Sequence, residues 1–180
     1  MLASFLDNRV IVKVGDITKE EGDAIVNAAN SSLMGGGGVD GAIHAAAGPS
    51  LLEACIKVRQ PKYPEGLPTG EAVLTSSGEL FVTNVIHTVG PIYGAHAGKE
   101  AELLAKCYEN SLALTAEHLL RTISFPAIST GVYRYPRGEA AKVSSAAIKQ
   151  FLDRDKTIDE VRLVFFHNRD AAIFLENHVF

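Results

Sequence analysis

Four consecutive glycines, Gly35 to Gly38, stand between Asn30 and Asp40 in the stretch NSSLMGGGGVDGAIHAAAG. Glycine loses the most chain entropy on folding, so such a run weakens structure unless the backbone must approach something closely. Successive amides ahead of a helix can form a nest for an anion beside the positive helix end, and a diphosphate is the natural guest. The alternative is a flexible loop without a ligand, but a linker needs neither Asn30 nor Asp40. Asn30 can offer an amide donor and an acceptor to a sugar. Asp40, near a helix start, suits an N-cap, a general base or a carboxylate that positions water.

A second small-residue loop lies in PAISTGVYRYP, Pro126 to Pro136. Ser129, Thr130 and Gly131 repeat the amide cradle after a strand and before a helix, and Tyr133 brings an aromatic face to its rim. Two such loops suggest a diphosphate gripped from both sides. Asp16, in GDIT directly after the first strand, reads on spacing as a turn or cap residue for a helix over 19–22. Phe166 closes the last strand, where its ring could stack on a base; Phe165, one residue earlier, should point to the opposite face. Both rings could equally be core. Asn27, inside a strand, reads as structural, and His44 and His87 read as hydrogen-bonded structural histidines.

Rival chemistries fit poorly. Gly36, Gly38 and Gly41 spell G-x-G-x-x-G, but Ala28 to Met34 separate them from the strand, and no acidic residue ends a second strand about 20 positions on. There is no G-K-[ST] ending and no nucleophile elbow, since Ala127 stands two residues before Ser129. The 6 histidines show no metal-ligand spacing, so neither a metal nor a cofactor is expected. Cys55 and Cys107 lie far apart and read as reduced thiols packed in helices.

These residues need elements to hold them. The apolar runs at 9–14, 23–29, 80–89, 122–128 and 160–166 predict strands. Helical patterns over 41–47, 50–58, 99–120, 139–152 and 169–178 alternate with them, and 59–72 reads as a Pro/Gly-punctuated loop. Alternation of this kind implies an α/β domain with a sheet covered on both faces. At 180 residues, with 47% hydrophobic and 21% charged, the chain fits one domain over 1–180. A net charge of −4 argues against nucleic acid as a partner. The N-terminal stretch lacks a signal-peptide pattern and no run suggests a membrane span, so a cytoplasmic protein is expected.

Taken in order, VGDIT, DAIVNAAN, GGGGVDGAIHAAAG, VIHTVGP, AISTGVYRYP and LVFF resemble the macrodomain family, which binds ADP-ribose. The similarity is to its MacroD-type branch, whose signature of Asn, six residues, then Gly-Gly-Val-Asp is met by Asn30 and Gly37 to Asp40. The resemblance implies a three-layer α/β/α sandwich with a mixed, mostly parallel central sheet. It implies that Asp16 accepts from the adenine amino group with the Ile17 amide nearby, and that Phe166 flanks the adenine. The loop Gly35, Gly36, Gly37, Gly38 and Val39, with Ser129, Thr130, Gly131, Val132 and Tyr133, would enclose the diphosphate and distal ribose. Asn30 and Asp40 would be catalytic, in hydrolysis of esters at the distal ribose: O-acetyl-ADP-ribose and mono-ADP-ribosyl groups on Asp or Glu of proteins. A non-catalytic reader of ADP-ribose is the alternative, and an RNA-processing regulator a more distant one. Two positions depart from the family pattern: Arg134, where Gly is usual, and Ala45, where Arg is common.

Overall fold

The computed structural model describes residues 1–180. Seven strands form one sheet: β1 (Ala3–Phe5), β2 (Val10–Val14), β3 (Gly22–Ala29), β4 (Ala72–Ser76), β5 (Val82–Val89), β6 (Thr122–Phe125) and β7 (Glu160–Phe165). Their spatial order is β1-β2-β7-β6-β3-β5-β4. The five central strands are parallel, and only the edge strands β1 and β4 run antiparallel to their neighbours. Five helices cover the faces: α1 (Gly38–Ala47), α2 (Pro49–Lys62), α3 (Glu100–Glu117), α4 (Arg137–Arg154) and α5 (Asn168–Asn177).

Side chains alternate across each strand, and this divides the core in two. Ala24 and Val26 of β3, Ile86 of β5, Ile123 and Phe125 of β6, and Val161, Leu163 and Phe165 of β7 pack with α3, α4 and α5. Ile25 and Ala29 of β3 and Val85 and Val89 of β5 pack instead with Ile43 of α1 and Leu51 and Cys55 of α2. The outcome is the expected three-layer sandwich with a mixed, mostly parallel sheet.

Several boundaries differ from the sequence reading. The edge strands β1 and β4 were not expected: both are short, and their residues make no long apolar run. The strand expected over 122–128 stops at Phe125, because Pro126 cannot continue the ladder. Helix α2 runs through Pro61 to Lys62, so part of the expected 59–72 loop is helix. Helix α1 starts three residues earlier than expected, at Gly38, with Gly37 as its N-cap. Asp40 therefore sits inside the first turn and is not the cap. Cys55 and Cys107 are free thiols buried in helices, and burial pushes them up to about 12 and about 11. No helix is long and apolar enough to cross a membrane.

Candidate functional site

The carboxyl ends of the five parallel strands open into one cleft of about 940 Å³. Five strands set about 4.8 Å apart span about 19 Å, so the cleft is long enough for an elongated ligand. At the β2 and β7 ends it is lined by Asp16, Ile17 and Phe166; in the middle by Ser129, Thr130, Gly131, Val132 and Tyr133; and at the β3 end by Asn30, Gly37, Gly38, Val39 and Asp40. Crevices outside the carboxyl ends of parallel strands are where open α/β sheets bind ligands.

Helices α1, α4 and α5 all begin at this cleft, and none has a side-chain cap. Their first N–H groups lack intrahelical partners, so three positive helix ends meet an otherwise acidic protein at one place. This supplies local attraction for an anion despite the net charge of −4.

Asp16 is a cap, as its spacing predicts, though of a different turn. Its Oδ1 accepts from the Thr18 N–H at 2.9 Å and the Thr18 hydroxyl at 2.7 Å, capping a short turn over Ile17–Lys19 rather than a helix over 19–22. Oδ2 accepts no bond, and the N–H of the next residue, Ile17, has as the first of the turn no partner within it. Two successive residues of the cleft wall thus offer a free acceptor and a free donor, the pattern that an adenine edge presents in reverse. Phe166 is 71% exposed, whereas Phe165 is buried in the core. The ambiguity over the two rings is resolved by the pleat. Tyr135 is buried and packs edge-on against Tyr93.

The opposite end is built differently. Asp40 is only 4% exposed. Its Oδ1 accepts from Asn27 Nδ2 at 2.8 Å and lies 3.5 Å from His44 Nε2, one turn along α1. His44 lacks the hydrogen bond expected of it, since Nε2 has no partner at bonding distance. The Asn30 side chain largely shapes its own loop: Oδ1 accepts from the Ser32 N–H and hydroxyl, and Nδ2 donates to Gly35 O at 3.1 Å. Less of it is free for a sugar than its type suggests; one Nδ2 hydrogen remains.

The four glycines are not equivalent. Gly37 and Gly38 line the cleft, and Gly35 and Gly36 do not. Gly35 backs onto the His44 ring, and a Cβ on Gly36 would stand 3.1 Å from both Asn30 Nδ2 and Asp40 Oδ2. These two let the polar end close up behind the wall. A Cβ on Gly41 would collide with the Gly36 carbonyl, so α1 can approach the loop only through glycine.

Several lining residues were missed. Arg137 and Asp170 form an ion pair at 2.8 Å on the cleft wall, joining the starts of α4 and α5, with His167 and Gly90 also exposed to the cavity. Residues 33 positions apart, each reading as an ordinary helix-start charge, carry no sequence signal of pairing. The departures from the family pattern have a physical setting. Arg134 adopts φ +59°, a region in which glycine is the easy choice. Ala45 is exposed on α1, so a longer side chain is not missed by the core.

The Macro domain family model matches residues 26–144, which includes the Gly-rich loop, Asp40 and the Ser129 loop. The chain belongs to the macrodomain family. It is 48% identical over 169 residues to an O-acetyl-ADP-ribose deacetylase of Escherichia coli strain K12, covering 94% of each chain. An enzyme of the same name from Klebsiella pneumoniae strain 342 is 52% identical over 163 residues, covering 91% of this chain and 92% of that one. Among solved structures, a Gly-to-Val mutant of the Oceanobacillus iheyensis macrodomain with ADPR superposes with a TM-score of 0.88 at 51% identity, covering 93% of this macrodomain and 89% of that chain.

Proposed function

We propose that this macrodomain binds ADP-ribose across its strand ends and hydrolyses esters at the distal ribose. The observation that carries this reading is the polarity of the cleft: a buried, hydrogen-bonded carboxylate at one end, an exposed aromatic ring and a donor–acceptor pair at the other, and three uncapped helix starts on its walls. The named activity of relatives about half identical over nearly the whole chain supports the same reaction. The whole of 1–180 acts as one domain in this reading.

Asp16 Oδ2 accepts from the adenine amino group, the Ile17 N–H meets a ring nitrogen, and Phe166 covers the base. Amides of Gly37, Gly38 and Val39 and of the loop from Ser129 to Tyr133 hold the diphosphate. Gripping the diphosphate spends binding energy on orientation, placing the distal ribose against Asn30 and Asp40. Asp40 Oδ1 is already taken by Asn27, which leaves Oδ2, on the Gly36 side, to position the attacking water. Water adds to the ester carbonyl, the acyl carbon–oxygen bond to the ribose breaks, the ribose oxygen takes a proton, and a carboxylic acid and ADP-ribose leave. Loop amides stabilise the developing oxyanion. The substrates are O-acetyl-ADP-ribose and mono-ADP-ribosyl esters on Asp or Glu of proteins.

The test follows the acetyl signal of O-acetyl-ADP-ribose by NMR with native protein and with Asp40→Ala. Free acetate formed by the native chain, and at least about a hundredfold more slowly by the variant, is the expected result. ADP-ribose binding without turnover of either ester type would make the protein a reader, and no binding would overturn the reading.

A further inference from the structure

Behind Asp40, on the side away from the cleft, a line of polar side chains runs through the core. Asn27 and His87 are wholly buried and face each other because β3 and β5 pair in register Asn27↔His87. Asn27 Nδ2 donates to Asp40 Oδ1 at 2.8 Å and lies 3.1 Å from His87 Nδ1. On its far side, His87 Nε2 lies 2.9 Å from Thr75 Oγ1, whose hydroxyl donates to Ser76 O at 2.9 Å. Such a network, folded into the interior next to a carboxylate, is costly unless its donors and acceptors alternate correctly.

The proton pattern follows from the chemistry of each group. The Thr75 hydrogen is committed to Ser76 O, so Oγ1 accepts from His87 Nε2–H. Nδ1 is then bare and can only accept, which requires the NH₂ of Asn27 on its side. That amide's second hydrogen consequently points at Asp40. Were the ring proton on Nδ1 instead, the Asn27 carbonyl would turn toward His87 and Asp40 together and repel the carboxylate. Burial, and secondarily the charge of His44, pushes the His87 imidazole down to about 3, so it stays neutral at physiological pH.

We infer that His87 is a positioning residue for Asp40: its neutral Nε2–H tautomer, fixed by Thr75, orients the Asn27 amide so that NH₂ and not carbonyl meets the carboxylate. The inference rests on the ester-hydrolase reading for its consequence in rate, but the orientation itself stands apart from turnover. A competing role, with His87 activating the Cys55 thiol 3.6 Å from Nε2, fails on two counts. Cys55 is fully buried, and its thiol is held up at about 12 by burial and the charge of Asp40, leaving no thiolate at neutral pH.

The experiment compares native protein with His87→Leu, which removes the acceptor, Thr75→Val, which frees the tautomer at nearly constant volume, and His87→Asn, whose Oδ1 restores an acceptor near Nδ1. Long-range ¹⁵N–¹H spectra should show the native ring neutral with its proton on Nε2 from pH 7 to about pH 4, above the value to which burial lowers it. The Asn27 NH₂ signals should shift in His87→Leu and Thr75→Val and return toward native positions in His87→Asn. Because the bond at stake is one to a charged acceptor, kcat for O-acetyl-ADP-ribose should fall about ten- to hundredfold in His87→Leu. KM should stay within about twofold, Thr75→Val should lose less, and His87→Asn should recover most of the rate. A proton on Nδ1, a charged ring at pH 7, or Asn27 signals unmoved in folded His87→Leu would overturn the inference. So would an unchanged kcat in that variant. If His87→Leu does not fold, Thr75→Val carries the same readouts. If native protein turns over no ester, the functional reading fails, while the ring and amide spectra still decide the orientation.

Discussion

The two ends of the cleft solve different problems with different materials. At the Asp16–Phe166 end the groups are exposed: Phe166 stands 71% in solvent, and Asp16 is held only by its own hydrogen bonds to Thr18, two residues on. At the opposite end Asp40 is buried and tied through Asn27 and His87 to the far edge of the sheet at β4. An aromatic face and one acceptor suffice to bind a base, because stacking tolerates a degree of movement. A group that must place a water against a carbonyl tolerates little. Under the proposed function, binding is carried by surface groups of one residue's reach, and chemistry by a lattice of residues from four separate elements.

The harshest way to break the contrast is to disturb the lattice through the backbone. Gly41→Ala puts a Cβ onto the Gly36 carbonyl, where no side-chain rotation relieves the collision. Overpacking of this kind costs about 1–3 kcal/mol of stability, measurable by urea unfolding. Relieving the collision by displacing α1 about 1 Å should lower kcat about a hundredfold. Changes at the other end should separate binding from rate. Asp16→Ala and Phe166→Ala should each weaken ADP-ribose binding about tenfold by calorimetry, as loss of one stacked base or one charged acceptor does, with kcat within about twofold. If instead Phe166→Ala lowers kcat and leaves affinity alone, the division between the two ends is wrong.

The lattice should also leave a mark on acid stability. His87 is lowered from 6.5 to about 3 in the fold, chiefly by burial. Between those two values the unfolded chain binds a proton that the native state refuses, so its contribution to stability is complete above about pH 6.5 and is lost as pH falls toward 3. The slope expected from one such group is about 1.4 kcal/mol per pH unit. Between pH 6 and 4 the urea-unfolding free energy of His87→Asn, which keeps the acceptor but cannot titrate in this range, should fall less steeply than that of native protein by that amount. Parallel slopes in the two proteins would mean that His87 is not held neutral by the fold.

The same division governs what could be read in the sequence. The central strands, the helices and the two loops were legible because each is a local pattern: β-branched runs of period two, apolar stripes, glycines in sequence. Asp16, Phe166, Asp40 and both small-residue loops do converge on one cleft. What was not legible is long-range. Asn27 and His87 each read correctly as structural, but their pairing depends on strand register across 60 residues. The Arg137–Asp170 pair depends on two helix starts meeting. The edge strands β1 and β4 are short and gain their pairing from neighbours rather than from their own composition. Within the glycine run, the backing role of Gly35 and Gly36 and the lining role of Gly37 and Gly38 cannot be told apart without knowing where α1 begins.

The smallest effect is expected at Arg134, and it tests whether the cleft's rim belongs to either end. Its backbone sits at φ +59°, a conformation that costs an L residue about 1–2 kcal/mol. Glycine would relieve that cost but would lose more entropy on folding, by about 0.5–1 kcal/mol. Arg134→Gly should therefore stabilise the protein slightly, by about half a kcal/mol, read as a small rise in Tm. The side chain is exposed and makes no ion pair, and it does not line the cleft. Hydrolysis of free O-acetyl-ADP-ribose should accordingly be unchanged. An exposed guanidinium beside the cleft but not lining it is best tested on a substrate that extends past the rim, so the informative comparison is with a protein-linked ester. A rate that falls on the protein-linked substrate alone would place Arg134 with a partner's acidic surface. Equal rates on both would leave it as a tolerated strain with no counterpart at either end of the cleft.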